Sequence, residues 1–128
     1  MYDQKSIGEI VSTLLMYSNL LRIYHWQTKS FSRHQAIDTL YELTQKNIDM
    51  FVETIQGSWN KTLLLENKTT IPLLNVDDSS IKDILLIIRN WLQYDLTKML
   101  KKEDLDLLNI RDEMLQNLNQ TFYLFNLE

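Results

Sequence analysis

Across 128 residues this chain has 2 glycines and 1 proline. Tight hairpin turns and strand corners draw heavily on these two residues, which argues against a sandwich or barrel with many turns. Long helices joined by few breaks remain as the way to bury a core, and the abundant Leu, Ile, Asn, Gln and Lys suit them. At this length the chain is expected to be a single domain, 1–128, with one hydrophobic core.

The apolar residues recur at steps of three and four and predict four amphipathic helices. The first covers about 6–29, with Ile7, Val11, Leu14, Ser18, Leu21 and His25 on one stripe. Ser6-x-x-Glu9 reads as its capping box. After Lys29-Ser30-Phe31 the second helix starts at Ser32, with Ser32-x-x-Gln35 as a capping box, and stops before Gly57. Its stripe is Ile37, Leu40, Thr44, Ile48, Phe51 and Ile55. A long connection follows over 57–79, holding Pro72 and the apolar Leu63-Leu64-Leu65 and able to house a short helix. The third and fourth helices span about 80–101 and 104–125. The break between them has neither Gly nor Pro, which leaves one long helix as the alternative. Two short-linked antiparallel hairpins joined by one long link make an all-α four-helix bundle with a single crossover between helices 2 and 3, as in ferritin-like folds.

Charge and composition remove several functions. A net charge of −4 and a pI near 5.1 argue against DNA binding. Met1-Tyr2-Asp3-Gln4-Lys5 is too short and too weakly basic to be a DNA-binding arm. The first apolar stretch carries Glu9, unlike a signal peptide, and Ile84-Leu85-Leu86-Ile87-Ile88 is closed by Arg89, so no membrane association is expected. The absence of cysteine excludes disulfides and thiol chemistry, and a cytoplasmic location is the expectation. Asn-x-Thr triplets at Asn60, Asn67 and Asn119 read as chance.

The chemistry-bearing residues are His25, His34, Asp38, Asp49 and Glu53; the histidines are the chain's only two. Imidazole and carboxylate together suit iron or zinc. At about 100° per residue, Asp38, Asp49 and Glu53 lie about 40°, 60° and 100° from His34, so all four share one side of the second helix. Yet His34 and Asp49 are about 22 Å apart along the axis, while metal–ligand bonds are about 2 Å. No ion can touch both within one chain. His25, His34 and Asp38 form one half of a ligand set, and Asp49 and Glu53 the other. Two copies with antiparallel second helices would join the halves into two equivalent sites. The bland alternatives are a core histidine satisfied by a hydrogen bond and a solvated acidic face. Asn109, Asp112 and Glu113 share a face of the fourth helix and read as a solvated or interface-lining stretch held by Arg111. Trp59 and Trp91 read as packing residues, and Lys98, Lys101 and Lys102 suit the third helix's C-terminal dipole.

His25-Trp26, His34-x3-Asp38 and Asp49-x3-Glu53 together resemble the ferroxidase signature of Dps-type mini-ferritins. The resemblance is close over about 20–57 and loose elsewhere, and extends to small Dps-like proteins of phages and large viruses, which would place the chain in a host cytoplasm. It implies that His25, His34 and Asp38 ligate iron from one subunit and Asp49 and Glu53 from its two-fold partner, with Trp26 near the metal. It implies oxidation of Fe(II) to Fe(III), preferably by hydrogen peroxide, and storage of ferric mineral in a twelve-subunit shell. Zinc fits the same ligands as an inert occupant. The chain departs from the family in a shorter turn between His25 and His34, the lack of basic tails, a different long connection and a shorter overall length. A catalytically inactive structural or assembly bundle with the same fold is the alternative function.

Overall fold

A computed structural model describes residues 3–66 and 70–127. The Asn67 triplet and the first two residues of the N-terminal segment lie outside the described residues. Four helical rods, and no strand, occur among the described residues. No helix among them is long and apolar enough to cross a membrane.

Helix α1 spans Gln4–Gln27 and α2 spans Phe31–Trp59. Both begin before the expected caps. Asp3, not Ser6, caps α1 by accepting the Ser6 amide at 2.9 Å. Ser30, not Ser32, caps α2 by accepting the Arg33 amide at 3.2 Å. α2 also runs through Gly57, because one helical glycine costs only about 1 kcal/mol. Its stop is Asn60, which turns into the left-handed region at φ 51°.

The third rod has three parts: α3 (Ile81–Asn90), a π-helical turn π1 (Trp91–Asp95) and α4 (Leu96–Met99). The wide turn was not foreseen in the apolar spacing. Trp91 there packs edge-on against Tyr17, with ring centroids 5.7 Å apart. The rod ends at a corner that the sequence marks weakly. Asp104 makes that corner: its carboxylate accepts the Lys101 amide at 2.8 Å and the Trp59 indole N–H at 3.3 Å. α5 (Leu105–Phe125) follows as a separate helix.

All neighbours are antiparallel. Ser18–Gln45 and His25–His34 pair α1 with α2. Asn47–Glu113 and Trp59–Asp104 pair α2 with α5. Arg89–Asn119 and Thr97–Arg111 pair the third rod with α5. Tyr17–Trp91 closes the ring of four. Leu14, Leu21, Leu92, Met114 and Leu118 meet at its centre, and Ile37, Phe51, Leu85 and Leu107 are fully buried along its length.

The link over residues 60–80 touches both ends of α1 and has no helix among its described residues, unlike the short helix allowed for. Leu64 lies against Gly8 near the N-terminus of α1. Asn75 and Val76 bond to Gln27 at its C-terminus, at 2.9 and 2.7 Å. These points are about 28 Å apart along the helix axis. Gly8 permits the close approach, because a Cβ there would overlap the Leu64 carbonyl oxygen, a backbone atom that cannot swing aside. Gly8→Ala should therefore destabilise the fold by about 1–2 kcal/mol, despite the better helix propensity of alanine. Urea unfolding checks this; a stabilised variant would mean that the link does not seat on α1.

Candidate metal centre

The turn between α1 and α2 is three residues long, Thr28 to Ser30. It sets the last turn of α1 beside the first turn of α2 and brings His25 against His34. The imidazoles stack with centroids 3.8 Å apart and an interplanar angle of 19°. Each ring bonds the other residue's backbone: His25 Nδ1 donates to the His34 carbonyl at 3.2 Å, and His34 Nδ1 donates to the His25 carbonyl at 2.7 Å. A carbonyl only accepts, so both neutral rings carry their proton on Nδ1 and their lone pair on Nε2. A backbone acceptor behind the ring is the usual support for a metal-binding histidine. Asp38 lies beside this pair, its Oδ1 3.9 Å from His25 Nε2 and beyond hydrogen-bond range. The His25 Nε2 lone pair and the Asp38 carboxylate thus lie near each other, and neither can donate a hydrogen bond to the other. Since the rings are nearly parallel, one ion cannot lie in both ring planes at about 2 Å from each nitrogen.

Trp26 is 66 % exposed beside this group. The Arg22 guanidinium lies over its ring at 5.1 Å and over the Tyr41 ring at 4.7 Å. This stack was not read from the sequence.

Asp49 and Glu53 are exposed further along α2. A hydrogen bond from Asp49, reinforced by its charge, pushes the Glu53 carboxyl above its ordinary value. Among the described residues of one chain, no group of three His, Asp or Glu is set to hold a metal ion. The chain brings His25, His34 and Asp38 together, brings Asp49 and Glu53 together, and does not join the two sets.

The fourth-helix group is occupied otherwise: Glu113 accepts from the buried Asn47 at 2.9 Å, and Arg111 holds Asp112 at 2.6 Å. Trp59 and Trp91 pack partly buried against the core.

Sequence reasoning missed Asp78. It belongs to Asp77-Asp78-Ser79-Ser80, ahead of α3. Asp77 accepts the Ser79 and Ser80 amides at 3.1 and 2.9 Å and shapes the entry to α3. Asp78 reaches back to the α1–α2 turn instead, accepting from Tyr24 at 2.6 Å, Thr28 at 2.5 Å and the Lys29 amide at 3.2 Å. The Thr28 and Tyr24 bonds hold its carboxyl below the usual carboxylate range. The available signal was a second acid where one suffices to open a helix.

No curated protein and no solved structure matches the chain. Residues 25–125, from the first histidine to the end of α5, match the family of unknown function DUF5856, and the chain belongs to that family.

Proposed function

We propose that two copies of the chain pair with their α2 helices antiparallel and complete two ferroxidase centres of Dps type. The observation that carries this reading is the split ligand set. Where α1 meets the start of α2, His25 and His34 offer two imidazoles with their lone pairs on Nε2, and α2 further along offers the adjacent acids Asp49 and Glu53. Two further features favour a ferritin-like bundle: the antiparallel ring of helices, and a link that touches both ends of α1.

Fe(II) is the substrate. Mixed nitrogen and oxygen donors suit it, and the carboxylates offset its charge. Two Fe(II) ions held as neighbours supply the two electrons that reduce one hydrogen peroxide to two water molecules, with two protons taken up and no radical released. Ferric iron then accumulates in a shell built from the dimers, twelve subunits by analogy with the Dps family. Zinc would occupy the same ligands without turnover.

Asp49→Asn/Glu53→Gln should lower the rate of peroxide-driven Fe(II) oxidation by at least about 100-fold and leave the helical content unchanged. Equal rates for the variant and the wild type would remove the acid pair from the site. A second reading, an inactive assembly bundle, draws on Leu64, Leu65, Leu73 and Leu74, which stand exposed on the link.

A further inference from the structure

We infer that Asp78, on the long link, is a positioning residue that sets the tautomer and aim of both imidazoles. The inference rests on the metal reading above for its consequence but not for its geometry.

The contacts of Asp78 bracket the histidines. Tyr24 and Thr28, whose hydroxyls donate to its carboxylate at 2.6 and 2.5 Å, stand on either side of His25. Arg33, next to His34, donates to the Asp78 backbone carbonyl at 3.0 Å. The Lys29 amide in the turn itself donates to the carboxylate at 3.2 Å. Thr28, held on its hydroxyl side by Asp78, accepts the Ser30 amide at 3.1 Å, and Ser30 caps α2. One residue from about fifty residues further along thus holds the α1 end and the turn through its carboxylate, and the α2 start through its backbone carbonyl.

The ring orientations depend on that hold. Each Nδ1–H bonds the backbone carbonyl of the other histidine, so the two bonds exist only at one setting of the α1 end against the α2 start. The Asp78 contacts reach the turn itself. Gln27 also ties the link down, through Asn75 and Val76, but bonds no residue of the turn. This separates anchoring the link from aiming the rings. A turn this short has little slack, so a small change in its setting breaks both carbonyl bonds and frees each ring to exchange its proton between Nδ1 and Nε2.

Four tag-free proteins test this: wild type, Asp78→Asn, Gln27→Ala and, as a milder second disruption of the turn, Thr28→Val. Long-range proton–nitrogen NMR of the ring nitrogens reads the tautomers without metal, and Co(II) absorption reads ligation. Wild type should show both rings in the Nδ1–H form. Asp78→Asn should show mixed tautomers and about tenfold weaker Co(II) binding, with Thr28→Val shifting the same way by less. Gln27→Ala should melt earlier yet keep wild-type tautomers and Co(II) affinity. Wild-type tautomers in Asp78→Asn would overturn the inference, and so would an equal loss of Co(II) affinity in Gln27→Ala. If the wild type takes up no Co(II) while the tautomers still shift in Asp78→Asn, the metal reading falls and the positioning of the rings stands.

Discussion

A co-refolded one-to-one mixture of His25→Ala/His34→Ala and Asp49→Asn/Glu53→Gln will oxidise Fe(II), although neither variant will do so alone. The expectation follows from where the ligand halves lie. In a homodimer of either variant, both sites combine one intact half with one ruined half. In a mixed dimer, the acid variant lends its histidines and the histidine variant lends its acids, so one of the two sites is whole and the other lacks everything. Random pairing makes half the dimers mixed, so about a quarter of the sites should return. Activity at that level, absent when the variants are kept apart, is the signature of a site shared across a two-fold axis. If the mixture stays as inactive as its components while both fold and pair, the centre is not built between subunits. If either variant is active alone, its mutated residues are not ligands.

Asp104→Ala should destabilise the fold by about 2–4 kcal/mol, which corresponds to a fall in melting temperature of about 10 °C for a domain of this size. Asp104 is 6 % exposed and satisfies two donors at once, the Lys101 amide and the Trp59 indole. Alanine removes the carboxylate acceptor that both donors share, and losing a hydrogen bond to a charged group costs about 1.5–3 kcal/mol. The bond to Trp59 also ties the end of α2 to the start of α5, so the loss reaches the helix carrying the acid pair. Thermal unfolding followed by circular dichroism provides the measurement. A shift of under about 2 °C would mean that the corner between α4 and α5 is held by the packing of Leu100 and Leu107 rather than by this carboxylate.

The two sites differ in how far the sequence announces them. The acid pair is local: Asp49 and Glu53 are one turn apart, and any helix there places them together. The histidine pair was half legible. The stripe puts His25 inward, and a short turn puts His34 nearby, but the spacing says nothing of stacked rings or exchanged carbonyl bonds. Those depend on the turn's setting, which Asp78 holds from the far side of the link. The caps show the same divide. Ser6 and Ser32 each begin a capping-box pattern, yet Asp3 and Ser30 do the capping. A capping box needs only a three-residue spacing, and several registers offer one.

By itself the sequence determined the all-helical class, the four amphipathic stripes, the short first turn and the long second link. It also showed that five ligand-type residues divide into halves too distant for one ion. All of these follow from repeats of three and four residues, or from the fixed rise of a helix. Only the tertiary structure decided where the helices end, that the third rod contains a π turn, that Asp104 makes the last corner, and that Asp78 grips the histidine turn. Tyr24 and Asp78 are 54 residues apart in the chain, and Trp59 and Asp104 are 45 apart. No local periodicity reports on such pairs. They form because packing four stripes around one core brings distant polar groups together, and a carboxylate taken from water, as at Asp104, must find its donors there.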